Sequence, residues 1–170
     1  TAQIPFSDFK VFDFICQNLP KNSQLQVSNS SAIRYLQLFD VDKSIQVFCN
    51  RGTSGIDGST STAIGAASAT DLPTMLITGD ISFLYDSNAL WNNYIPKNFK
   101  IILLNNNGGG IFRILPGHQE TETFNTYFET SHQLNASHLA KMYGLDYFEA
   151  NDEATLQQQY TAFLNQNEKP

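Results

Sequence analysis

Two short apolar runs, Pro73–Thr78 and Lys100–Leu104, each read as a β-strand and each stop at a polar turn. Gly79-Asp80 follows the first, and Asn105-Asn106-Asn107-Gly108 follows the second. Similar apolar runs alternate with helix-length segments along the rest of the chain. A strand, a helix and another strand in succession force a crossover, so the predicted fold is α/β. It is a doubly wound, mostly parallel sheet with helices on both faces. Open sheets of this kind bind ligands beyond the carboxyl ends of their strands. An acid and an amide delivered at two such ends are hard-oxygen ligands. A Mg²⁺-held diphosphate is therefore the first functional reading.

The remaining elements follow from periodicity and stop signals. A helix is predicted from Asp8 to Leu19, with Ser7 as its cap and Pro20 as its stop. Gln24–Ser28 and Ser44–Cys49 read as strands, with a helix from Ser30 or Ser31 through Phe39 between them. Arg51–Gly58 reads as a loop, and Ser59–Thr70 as a helix whose small side chains allow close approach to a sheet or another chain. A helix is expected over Asp86–Trp91. The polar, aromatic stretch Gly108–Asn135 reads as a mobile active-site loop or a segment ordered by a partner, poorly packed without either cofactor or partner domain. A helix (Ser137–Tyr143), a strand (Leu145–Glu149) and a last helix (Asp152–Asn165, with Asp152 as N-cap) close the pattern.

Composition removes some function classes. The 170 residues suit one domain with a sizeable core. A formal net charge of -6 disfavours a nucleic-acid partner. No run of about 20 apolar residues suggests a transmembrane segment, and nothing resembles a signal peptide. Cys16 and Cys49 read as small apolar residues rather than a disulfide, and a cytoplasmic setting follows as the default. His118, His132 and His138 lack paired ligand spacing for zinc and read as surface or loop residues.

Mg²⁺ takes oxygen ligands in a near-octahedral array and shares itself with phosphate. Asp80 offers a carboxylate, Asn106 a side-chain carbonyl and Gly108 a main-chain carbonyl at a turn that glycine permits. The alternative reading of each is structural: Asp80 as a helix cap, Asn105–Gly108 as a plain turn. A dinucleotide fingerprint is a poor match, because Gly108-Gly109-Gly110 lacks the third glycine in place, and no P-loop sequence is present.

Gly-Asp, about 25 residues, then Asn-Asn resembles the fingerprint of thiamine diphosphate-dependent enzymes. Ile81 departs from it, standing where many members carry Gly or Ala. The flanks Asn50–Gly58, Ser82–Asn88 and Asn105–Phe112 with Leu115-Pro116 resemble the menaquinone-pathway branch, the 2-succinyl-5-enolpyruvyl-6-hydroxy-3-cyclohexene-1-carboxylate synthases. The resemblance implies thiamine diphosphate and Mg²⁺ as cofactors, with the metal held by Asp80, Asn106 and Gly108. It implies cofactor contacts from Gly79, Asp80, Ile81, Ser82, Asn106, Gly108, Gly109 and Ile111, with Ile56 under the cofactor. It also implies a transferase that decarboxylates 2-oxoglutarate and adds the product to isochorismate. Those substrates carry four carboxylates, which planar guanidinium forks match bidentately. Ser30, Arg34 and Arg51 are expected to line their pocket, with Phe112, Ile111 and Leu115 as apolar walls. Arg113, at a position that varies in the family, is left without a role. Read alone, Arg34 is a helix-surface charge and Arg51 a loop ion pair.

The implied chemistry also needs a carboxylate to activate the cofactor's aminopyrimidine. The resemblance places that Glu in an N-terminal pyrimidine-binding domain of a neighbouring subunit. Asp57, Asp86, Glu120 and Glu122 read as loop or cap residues instead. The expectation is that residues 1–170 form a single C-terminal diphosphate-binding domain of a larger homo-oligomeric enzyme, inactive by itself. Two alternatives stay open: a domain of another thiamine diphosphate-dependent carboligase or 2-oxo acid decarboxylase, and a non-catalytic module that binds a phosphorylated ligand or partner chain.

Overall fold

A computed structural model describes residues 4–168. Thr1–Gln3, Lys169 and Pro170, part of the predicted 1–170 domain, lie outside the described residues. Four parallel strands form one sheet in the order β2-β1-β3-β4. They are β1 (Gln24–Val27), β2 (Gln46–Cys49), β3 (Thr74–Gly79) and β4 (Phe99–Leu104). Strand side chains alternate between faces, and the two halves of the core follow that alternation. Leu25, Val27, Met75 and Ile77 pack with α1 (Asp8–Asn18), α2 (Ser31–Leu36) and α7 (Glu153–Asn165). Leu76 and Phe99 pack on the other face with α3 (Ser59–Ser68), α4 (Asp80–Tyr85), a 3₁₀ turn (Ser87–Trp91) and α6 (Ser137–Met142). The doubly wound prediction is thereby realised, and free Cys16 sits in the first of these clusters. Ala63 and Ala67, both fully buried, bring α3 close to the sheet as its small residues predicted.

The structure adds one element and corrects three expectations. The predicted Asp86–Trp91 helix is present as the 3₁₀ turn Ser87–Trp91, and a further helix, α4, begins at Asp80 itself. Ser7 stands at the N-cap of α1, but its main-chain carbonyl, not its side chain, serves the helix, accepting from Val11 N at 3.0 Å. Leu145–Glu149 forms no strand: a cavity of about 810 Å³ lies between this stretch and β4, beyond the reach of ladder hydrogen bonds. The stretch after Gly108 is not a bare loop. It contains α5 (Ile111–Ile114) and a π-helical turn (Phe124–Glu129), with Ile111 and Phe124 buried. Phe128 stacks on Phe124 and meets Phe112 edge-on there, so the segment carries a small apolar cluster of its own. By contrast, the Asp152 cap is formed with Thr155 as a reciprocal capping box.

Candidate functional site

Strand register gathers the predicted residues. Gly79 pairs with Leu104, so Asp80 and Asn105 leave adjacent strands at the same level. Val27 pairs with both Ile77 and Cys49, which places Asn29 and Arg51 in the same row past the strand ends. The chain winds from β1 outward to β2 and then returns across β1 to β3. The β1/β3 boundary is therefore the point where strand order reverses, and the carboxyl side of such a point is where open sheets form their ligand crevice.

Asp80 is only 3% exposed. One carboxylate oxygen accepts from Ile81 N at 2.7 Å, and the other from Gly108 N at 3.0 Å. The β3 and β4 motifs thus meet through a charge-assisted bond. Gly108 is buried with φ +154°, and a Cβ there would stand 2.8 Å from the carbonyl oxygen of Glu129. Only glycine fits that close approach. Gly109 N donates to the same Glu129 carbonyl at 2.6 Å. Asn106 lies at the same edge but is exposed, and its amide nitrogen donates to Asp8 Oδ2 at 2.8 Å. Asp8, at the start of α1, is a partner that no local pattern signals.

His132 lies in a loop, as the sequence suggested, but its side chain turns inward. Its side chain is 11% exposed and its Nε2 stands 3.2 Å from Asp80 Oδ2. The approach is off the hydrogen-bond line, so Nε2 is buried without a hydrogen bond.

The substrate-side candidates divide. Arg51 Nη1 donates to Asn29 Oδ1 at 2.8 Å, and Asn29 Nδ2 donates to the Ser54 carbonyl. Buried Asn29 therefore ties the arginine loop to the end of β1. Ser30 has φ +76°, a left-handed conformation that is strained for a non-glycine residue, and its carbonyl accepts from Arg34 Nη1 at 2.9 Å. Arg34 and Arg51 are both exposed, with donors left over for an anion. Ile56 is held over the start of α4 because its carbonyl accepts from Ser82 Oγ at 2.6 Å. Ile81 and Gly79 are half-buried beside it, and Ile111 is buried. Phe112 packs edge-on against Phe128, whereas Leu115 is exposed.

Arg113 is engaged elsewhere. It makes a forked contact with Glu129 and bonds Glu120 at 2.6 Å. The Glu129 and Glu120 carboxylates raise the guanidinium pKa above its ordinary value, and Arg113 in turn lowers that of Glu129. Asp86 is buried and caps α3, accepting from Ser61 N at 2.8 Å. Among the described residues, no group of three or more His, Cys, Asp or Glu side chains could hold a metal. Asp80 with the neutral oxygens of Asn106 and Gly108 is a donor set that suits Mg²⁺ shared with phosphate, and the buried Nε2 beside Asp80 occupies a polar position at the same edge.

Residues 29–170 match the family described as thiamine pyrophosphate enzyme, C-terminal TPP binding domain. The chain belongs to that family. It is 69% identical over 169 residues to a 2-succinyl-5-enolpyruvyl-6-hydroxy-3-cyclohexene-1-carboxylate synthase of Flavobacterium johnsoniae. It is 73% identical over 164 residues to the synthase of the same name from Flavobacterium psychrophilum. These alignments cover 99% and 96% of the chain, but it spans only 30% of the length of either relative. Benzoylformate decarboxylase from Polynucleobacter necessarius superposes with a TM-score of 0.68 at 16% identity, covering 97% of this chain and 32% of that one. A thiamine diphosphate-dependent 4-hydroxybenzoylformate decarboxylase from Rhodococcus jostii superposes at 0.66 with 21% identity, covering 96% and 31%. Likeness at that level carries the fold alone. No described helix is long and apolar enough to cross a membrane.

Proposed function

We propose that this chain is the diphosphate-holding domain of a synthase that joins decarboxylated 2-oxoglutarate to isochorismate, using thiamine diphosphate and Mg²⁺. The observation that carries the reading is the buried Asp80 carboxylate bonded to Gly108 N at the carboxyl edge of β3 and β4. It unites the two fingerprint motifs in a chain so similar to named synthases. Asp80, the Asn106 amide oxygen and the Gly108 carbonyl are the proposed metal ligands. The Gly79–Ser82 turn and Gly109 approach the diphosphate, and Ile56 and Ile111 supply apolar contact. When bound, the cofactor supplies the electron sink that decarboxylation of a 2-oxo acid requires.

This chain's residues bind and orient. Asn29 holds Arg51 and the Ser30 carbonyl holds Arg34, both exposed past the carboxyl ends of β1 and β2, and both are proposed to serve the substrate pocket. Their planar forks suit the carboxylates of a 2-oxo diacid and of isochorismate. Phe112 and Leu115 are apolar walls, and Arg113 is committed to its own carboxylates. Asp86 is a helix cap and Glu120 an ion-pair partner, so neither is free for acid–base work. As the family resemblance implies, the activating Glu is proposed to come from a pyrimidine-binding domain of a neighbouring subunit, and these 170 residues alone are proposed to be inactive. Exposed Tyr85, Trp91 and Tyr94, 70–81% exposed, suit burial against such a partner. A cytoplasmic, homo-oligomeric enzyme is the corresponding setting.

The test is calorimetric titration of thiamine diphosphate with and without Mg²⁺, combined with turnover. Mg²⁺-dependent binding that Asp80→Ala abolishes, and consumption of isochorismate only with 2-oxoglutarate by full-length protein, are expected. Unchanged cofactor affinity in Asp80→Ala removes the metal assignment. Wild-type-like turnover by the 170 residues alone removes the claim that the activating group lies elsewhere.

A further inference from the structure

His132 is half-buried, and its Nε2 is buried against the residue proposed to carry the metal, yet makes no hydrogen bond there. Its other ring nitrogen, Nδ1, accepts from Leu134 N at 3.1 Å, which assigns the proton of the neutral ring to Nε2. Nε2 stands 3.2 Å from Asp80 Oδ2 with its N–H directed off the line to that oxygen. Buried polar groups almost always find a partner, and one that does not marks either stored strain or a missing group. The backbone around the ring is held firmly. His132 N donates to Asn107 O at 3.1 Å, and Gly109 N to Glu129 O at 2.6 Å. Asn107 and Thr130, which flank these contacts, take left-handed φ values of +64° and +52°. The 129–132 stretch is thus zipped along 107–109, and the zipper carries the imidazole onto Asp80.

We infer that His132 is a displaceable latch over the metal position, holding the ring on Asp80 until cation and diphosphate replace it. This rests on the proposed metal and cofactor reading of Asp80. The physical case is the asymmetry of the contact. A ring fully bonded to Asp80 would be a permanent structural partner. One that covers the carboxylate without a hydrogen bond gives up little on leaving, while the incoming cation gains the buried carboxylate. The latch excludes the cation from Oδ2 in the closed state. Apparent affinity is then the intrinsic affinity reduced by the fraction of open molecules.

The full chain is labelled with [¹³Cε1]histidine and titrated with Mg²⁺ plus thiamine diphosphate. The signal lost in His132→Gln assigns the ring. Cofactor affinity of wild type, His132→Gln and His132→Ala is measured by calorimetry. With a closed state populated about ten to one, both variants bind about tenfold more tightly, and the wild-type His132 signal shifts with loading while that of exposed His138 stays in place. Binding by the variants alone also supports the latch. Cofactor binding with a stationary His132 signal, or variants that bind equally or more weakly, overturns it and leaves the cofactor reading intact. Absence of Mg²⁺-dependent binding in all three proteins overturns both. Only variants whose circular dichroism and melting match wild type enter the affinity comparison; where neither does, the wild-type resonance alone decides.

Discussion

Replacement of Gly108 by alanine tests the geometry that joins the two motifs. The added Cβ would lie 2.8 Å from Glu129 O, 3.3 Å from Glu129 Cγ and 3.5 Å from Ser131 Cα. The nearest atom is backbone and cannot swing aside, so the 129–131 stretch must move. A strained φ contributes about 1–3 kcal/mol, and overpacking a comparable amount. The two share one relaxation, so a net loss of about 2–4 kcal/mol is expected. Unfolding entropy near 2.1 cal/mol/K per residue gives roughly 0.36 kcal/mol/K for 170 residues. The expected fall in Tm is therefore about 6–11 °C by scanning calorimetry. Gly110→Ala is the internal control: its Cβ would meet Asn106 Nδ2 at 3.2 Å, the end of an exposed side chain that can rotate away. That variant should lie within about 1 kcal/mol of wild type. A Gly108→Ala protein melting within about 2 °C of wild type, or a Gly110→Ala protein equally destabilised, refutes the close-approach reasoning.

Further outcomes follow from other contacts. Asn29→Ala removes the partner of both Arg51 and the Ser54 carbonyl, and should cost about 1–3 kcal/mol in urea denaturation; Asn29→Asp, which keeps the acceptor for Arg51, should recover part of it, and equal stability of Ala and wild type would contradict the tie. Asp152→Ala removes the capping box of α7 and should lower stability by about 1 kcal/mol, with no change at all counting against the cap. Burial, and secondarily Asp13, pushes the Cys16 thiol up from 9.0 to about 11. A pKa raised on folding gives stability that is whole below the unfolded value and is lost as pH rises through the folded one. Thermal stability should therefore fall between about pH 9 and 11, and Cys16→Ala should flatten part of that fall; an identical pH profile in the variant would show that the thiol is not responsible.

Much of this fold was legible because its signals are local. β3 and β4 are short apolar runs and β1 a short alternating one, each ended by turn residues, and their observed limits lie within a residue or so of the predicted ones. The Asp152 cap needs only the residues of one helical turn. The Leu145–Glu149 prediction failed because an apolar run records the tendency to be extended, not the presence of a neighbour at ladder distance. The helix at Asp80 was missed because Gly79 and Asp80 read as a turn, although an acid in a first turn is also favourable to a helix.

The candidate site divides along the same line. Asp80, Asn106 and Gly108 could be named from sequence, because strand ends and glycine turns are written in consecutive residues. Parallel pairing then had to bring Gly79 level with Leu104 before those motifs could meet. Asp8 on Asn106, Asn29 between Arg51 and Ser54, Arg113 locked between Glu120 and Glu129, and His132 over Asp80 came only from the tertiary structure. Each joins residues from 7 to 98 positions apart. No periodicity or motif encodes such distances, because burial and orientation arise only when separate elements pack. The sequence by itself determined which side chains stand at the carboxyl edge of the sheet; packing decided which of them are spoken for, and placed a histidine where a cation is proposed to sit.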